Sequence, residues 1–173
     1  DEPRVVDEAS SQWINKTLSE HERLTSEQVV VAVFDDLQDE ELVDFTNRVF
    51  KEWRIGKKSK SNGVLLAIYW KNRKSRIEVG YGLESVLTDI KSHQILKNTL
   101  GPRLRAETPG AAIAAAVWEI LTTLETPLLN TTDSKSRPFA ENWDGGASAG
   151  KSILLLLLGI AVVLGLIYRA ASP

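Results

Sequence analysis

The sequence predicts an α/β fold, a three-layer α/β/α sandwich around a mixed sheet, followed by one C-terminal transmembrane helix. Two observations predict the sandwich. The β-branched and aromatic run QVVVAVF (28–34) and the apolar run GVLLAIYW (63–70) are too short for helices and suit strands buried on both faces, and the amphipathic stretches around them need a sheet to cover. A third observation predicts the membrane helix. ILLLLLGIAVVLGLIY (153–168) has no charge or amide in sixteen residues, which span about 24 Å at about 1.5 Å each. It is apolar on every face rather than striped, with Lys151 and Arg169 placed to snorkel and Tyr168 to sit at the interface.

The elements follow in order. SSQWINKTLSEHERL (10–24) opens with serines suited to capping, and Trp13, Ile14, Leu18, His21 and Leu24 fall near one helical face. The strand 28–34 ends at Asp35 and Asp36. Asp39 is placed to cap a second helix with a stripe of Leu42, Phe45, Val49 and Trp53, stopping at Gly56. After the charged loop KKSKSN and the strand 63–70, KNRK turns the chain into SRIEV, whose alternation suits an antiparallel, half-exposed third strand. Asp89 can cap IKSHQILKNTLG, a helix expected to end near Gly101 and Pro102. Thr108 and Pro109 suit the N-cap and first position of GAAIAAAVWEILTTL, with a stripe of Ile113, Val117, Ile120, Leu121 and Leu124.

This organisation divides the chain into a globular domain (1–125), a polar, glycine-containing linker (126–151), the membrane span (152–169) and a short tail (170–173). Methionine is absent, so Asp1 is not an initiator, and an upstream signal peptide is expected. Lysine and arginine are too evenly spread about the span to orient it. With 21 basic and 23 acidic residues the formal charge is −2, and no strong positive field points to nucleic acid. Cysteine is absent, which excludes disulfides, thiolate metal sites and a thiol nucleophile.

Several catalytic motifs are missing: HExxH, a phosphate-binding Walker loop and the G-x-S-x-G elbow. The two histidines, His21 and His93, lie far apart in sequence and read as helix-surface or part-buried residues. GYGLES (80–85) imitates a dinucleotide fingerprint but has Ser85 in place of the third glycine and follows the wrong strand. Gly80 and Gly82 therefore supply positive φ or permit close backbone approach, and such a loop can present Glu84 and Asp89 to a ligand. Asp35, at a strand end, is a further candidate, and oxygen-only ligands favour Ca²⁺ or Mg²⁺ over zinc. Basic residues gather in two groups, Lys51, Arg54, Lys57, Lys58 and Lys60, then Lys71, Arg73, Lys74 and Arg76. Either an ordinary solvated surface or a face for anionic headgroups would use them.

VVDEA (5–9), QVVVAVF, RVFKEWRIGKKSKSNGVLLAI (48–68) and RIEVGYGLESVLTD (76–89), in this order, resemble the TPM domain family over about residues 5–125. The resemblance implies an α/β/α sandwich of the bacterial envelope type, exported behind a signal peptide and often followed by a glycine-rich stretch and a membrane helix. Plant relatives are described as acid phosphatases of the thylakoid lumen, an animal relative is an auxiliary subunit of a receptor channel, and some bacterial members bind divalent cations. Asp7, Glu84 and Asp89 match acidic positions of the family, whereas Ser61 stands where such members usually carry an aspartate before Asn-Gly.

The expected function is accordingly a single-pass, membrane-tethered extracytoplasmic domain, anchored in the bilayer, that binds or assists a membrane protein complex. Asn62, Gly63, Gly80, Tyr81 and Gly82 form its expected binding loop. The alternative is a divalent-cation-dependent acid phosphatase for phosphomonoesters, with Asp7, Asp35, Glu84 and Asp89 holding Ca²⁺ or Mg²⁺ and a metal-bound water as nucleophile.

Overall fold

The structure, a computed structural model, describes residues 5–105 and 109–126. Three strands form one mixed sheet in the order β1-β2-β3, with β1 at Gln28–Phe34, β2 at Gly63–Tyr69 and β3 at Lys74–Val79. β1 and β2 are parallel, Gln28 opposite Gly63 and Phe34 opposite Tyr69. β3 returns antiparallel to β2, Val64 opposite Val79 and Tyr69 opposite Lys74. A parallel neighbour requires a crossover, and the helix α2 (Leu42–Glu52) supplies it.

Every residue of β2 is buried because the sheet is covered on both faces. Val64, Leu66 and Ile68 pack in one cluster with α1 (Glu8–Thr25), α5 (Pro109–Thr123) and residues of the 89–105 segment. Leu65, Ala67 and Tyr69 point the other way and pack with Val49 of α2, Leu37 and Ile55. Burial of each large aliphatic side chain contributes roughly 1.5–3 kcal/mol, so this one strand anchors both layers. The α2 face is finished by aromatic contacts. Phe34 stacks on Tyr69 at 5.2 Å, Phe45 meets Tyr69 edge-on at 5.5 Å, and the buried Tyr69 hydroxyl lies 2.7 Å from Thr46 Oγ1.

The structure shows the half-exposed antiparallel β3 and the buried stripe of Ile113, Val117, Ile120, Leu121 and Leu124 on α5 that the sequence predicts. It corrects other readings. β1 is an edge strand with only Val29 and Ala32 fully buried, since an apolar run reads the same at the edge of a sheet as at its centre. Leu24 and Trp53, at the ends of their helical stripes, are exposed.

The cap assignments shift by a few residues. Asp7, not the serines, caps α1, accepting from Ser10 N at 2.9 Å and Ser10 Oγ at 2.6 Å. Asp39 caps nothing: it turns through φ 64 in the loop before α2, whose first residue follows Glu41. Thr88 rather than Asp89 caps α3 (Asp89–Gln94). The helix expected to stop at Gly101 instead widens into a π-helical segment, Ile95–Leu100, and continues as α4 (Gly101–Arg105). Pro102 falls at the join between the π-helical segment and α4.

The expected membrane span, linker and tail (126–173) lie outside the described residues except for Thr126. Among the described residues no helix is long and apolar enough to cross a membrane.

Candidate functional site

The NG and GYG stretches meet at one pole of the sheet, where β1 and β2 begin and β3 ends. Asn62, only 5% exposed, holds the junction with its whole amide. Its Oδ1 accepts from Lys57 N at 2.9 Å, its Nδ2 donates to Ser26 O at 2.7 Å, and its carbonyl accepts from Gln28 N at 3.0 Å. The Gln28 side chain reciprocates, its Oε1 accepting from Gly56 N at 2.7 Å. Thus one residue joins the end of α1, the start of β1 and the 56–62 loop.

The glycines allow these backbones to touch. A Cβ on Gly63 would lie 2.3 Å from Ile55 O, one on Gly80 2.3 Å from Ser61 O, and one on Gly82 2.1 Å from Lys60 O. Gly80 N donates to Gly63 O at 2.8 Å and Gly82 N to Ser61 O at 3.0 Å, so the 80–83 turn is stitched onto the 56–63 loop. Close approach, rather than positive φ, is therefore the reason for Gly80 and Gly82; only Gly56, at φ 86, also needs left-handed backbone. Ser61 itself sits at φ 48 and is exposed.

On this welded support stands the short 3₁₀ turn Tyr81–Leu83. Leu83 and Leu87 are buried beneath it, and Tyr81 is 82% exposed. Ile90, in the first turn of α3, is 72% exposed, and the carboxylates Glu84 and Asp89 are exposed beside these two residues in sequence. The segment 81–90 thus forms a rim that carries two exposed large apolar side chains and two exposed acids.

The four acidic candidates do not converge. Asp35 follows the far end of β1, a seven-residue strand that places it about 20 Å from the rim, and it pairs with Lys71. Asp7 lies at the start of the 18-residue α1, whose other end reaches Asn62; it packs against Gly110 of α5, and its bonds to Ser10 hold its carboxyl below the usual aspartate range. Because β3 runs antiparallel, the end of β3 and the end of β1 lie at opposite poles. Among the described residues no three acidic or histidine side chains gather in a metal-holding group.

A second polar cluster escaped the sequence. His21 is fully buried, its Nδ1 2.9 Å from Thr126 Oγ1, and Thr126, 1% exposed, also donates to Leu121 O at 2.8 Å. His21 Nε2 lies 3.2 Å from Glu27 Oε2, which is buried yet poorly aligned for a hydrogen bond. Burial pushes the imidazole down to about 4 and pushes the Glu27 carboxyl up, partly offset by Lys60, so neutral forms of both suit the interior. The available signal was the helical spacing from Ile14 to His21, one apolar face with a histidine on it. Thr126, 105 residues away, had none.

The fold and rim define an α/β domain with a glycine-welded loop junction at one end of a mixed sheet. The family model for the TPM domain matches residues 1–123, and the chain belongs to that family. Among solved structures, it is similar to the N-terminal domain of a protein from P.gingivalis, at 26% identity and TM-score 0.67, covering 72% of this chain and 80% of that one. BA42 from the psychrophilic bacterium Bizionia argentinensis shares 14% identity at TM-score 0.61, over 82% and 90% of the two chains. The N-terminal domain of cg2496 from Corynebacterium glutamicum shares 11% at TM-score 0.52, over 73% and 78%. The last two show likeness of fold alone. No curated protein matches.

Two outcomes test these assignments. Gly82→Ala drives a methyl group into Lys60 O and is expected to lower unfolding free energy by about 2–3 kcal/mol in urea titration, whereas Ser85→Ala, on the exposed surface just beyond, should change it by less than about 0.5 kcal/mol. The neutral, buried imidazole contributes stability that is complete above its ordinary 6.5 and is lost as the pH falls through about 4, because the unfolded chain takes up the proton first. Glu27 acts in the opposite sense, its contribution being lost as pH rises through its elevated value. Urea midpoints measured from pH 7 to pH 4 should therefore fall less steeply in His21→Gln than in the wild type.

Proposed function

We propose that the chain is a membrane-tethered, extracytoplasmic binding module that docks its rim on a membrane protein complex and assists it. The observation that carries this reading is the exposure of Tyr81 (82%) and Ile90 (72%) on backbone that is held fixed underneath. Large apolar side chains on a rigid support lose little conformational freedom on docking, and aromatic anchors of this kind concentrate binding energy. Glu84 and Asp89 border them, so the complementary surface combines an apolar socket with cationic groups.

The expected linker 126–151 suits this role. A flexible chain of about 25 residues reaches roughly 25–30 Å, which holds a weakly binding domain near its partner at high effective concentration. The span 152–169 would supply the anchor in the bilayer. Cation-dependent phosphatase chemistry draws less support, because Asp7 and Asp35 stand away from the Glu84–Asp89 rim.

Purification of the full chain from membranes in gentle detergent tests the reading. Recovery of a defined membrane complex with the wild type should drop at least about tenfold with Tyr81→Ala/Ile90→Ala, at unchanged expression and thermal stability. Equal recovery with the variant would remove the rim from the interaction.

A further inference from the structure

The pole opposite the rim holds a cleft of about 900 Å³ between the β2–β3 turn and the start of α5. Its walls include Trp70, Lys71, Arg73, Lys74, Leu104 and Arg105, four cations and no carboxylate. This is unusual company in a chain of net charge −2. Of the acids at this pole, Asp35 pairs with Lys71, Asp36 accepts from Gln38 N at 2.8 Å and lies near enough to the same lysine to favour its charge, and Asp7 bonds Ser10. Among the described residues, Arg73, Lys74 and Arg105 take part in no ion pair.

The turn that presents these cations is well fixed. Trp70 N donates to Phe34 O at 2.9 Å, Lys71 N to Asp35 O at 2.9 Å, and the Asn72 side chain accepts from Leu37 N at 2.9 Å. Arg73 closes the turn at φ 51, its N donating to Trp70 O at 3.3 Å. Of the nine basic residues that the sequence places in two groups, the fold sends Lys71, Arg73 and Lys74 here with Arg105, binds Arg76 to Glu78, and leaves Lys57, Lys58 and Lys60 at the rim end.

We propose that this cleft binds the phosphate headgroup of an anionic amphiphile, without hydrolysing it. Guanidinium forks and ammonium groups match phosphate oxygens, and the adjoining walls of Trp70 and Leu104 offer apolar surface to the glycerol and first methylenes of a lipid. The volume lies within the range of sites that enclose a small ligand. A phosphate ester free in solution shares the headgroup chemistry but has no use for the apolar wall. The inference is independent of the rim, which lies at the other end of β2.

Two-dimensional NMR of the full chain in neutral maltoside micelles tests it, following Trp70, Arg73, Ser75 and Gly101 while the micelles are doped with phosphatidate, with phosphatidylcholine, or left undoped with inorganic phosphate in solution. Phosphatidate should move these signals at an apparent Kd at least about tenfold below that of inorganic phosphate, and phosphatidylcholine should not move them. Arg73→Glu/Lys74→Glu/Arg105→Glu should weaken binding about 100-fold with the β2 signals in place, and Lys57→Glu/Lys58→Glu less than about twofold. Equal affinity for inorganic phosphate would overturn the lipid as ligand. No movement of the cleft signals, or equal movement in the triple variant, would overturn the site.

Discussion

Backbone-to-backbone contact between the 56–63 loop and the 80–83 turn sets the shape of one entire end of the domain. Four glycines bring carbonyl and amide groups within distances that no side chain would allow, and Asn62 fastens the assembly, its side-chain amide bonding Lys57 N and Ser26 O at the end of α1 and its backbone carbonyl bonding Gln28 N at the start of β1. A buried amide left without partners would be costly, so these bonds also fix where each strand begins. Gln28 opposite Gly63 is the first pair of the parallel ladder, and the same two segments are joined by Asn62 O. Register and loop geometry are thus one constraint.

The molecule divides into two chemically different poles, of which that constraint shapes one. β2 runs buried between them, with helices on both of its faces. At its start the welded loops lift Tyr81 and Ile90 into solvent with acids alongside. At its end the turn into β3 gathers cations over an apolar cleft. The opposite character of the two ends is what the two proposals use, the rim for a protein surface and the cleft for an anionic headgroup.

Much of this was legible in the sequence because the patterns are local. The two apolar runs, the alternation of β3 and the α5 stripe each report burial through their own period, and NG and GYG mark positions where a Cβ is not tolerated. What was not legible depends on pairing between distant segments. The antiparallel return of β3 puts Glu84 and Asp35 at opposite poles, although both follow a strand. The edge position of β1 cannot be told from its composition. His21 finds Thr126 across 105 residues, and Arg105 meets the β2–β3 turn only because the helix runs on past Pro102 through a π-helical segment. Cap positions slipped because Asp, Thr and Ser neighbours compete for the same role within two or three residues.

The weld between the two loops is the claim on which the rim and its proposed role rest, and native-state amide hydrogen exchange measures it directly. If it holds, the N–H groups of Lys57, Gly80 and Gly82, bonded to Asn62 Oδ1, Gly63 O and Ser61 O, will exchange within about tenfold of Leu66 in the buried strand. Exchange of these three amides at the rate of an open loop, while Leu66 stays protected, would contradict it.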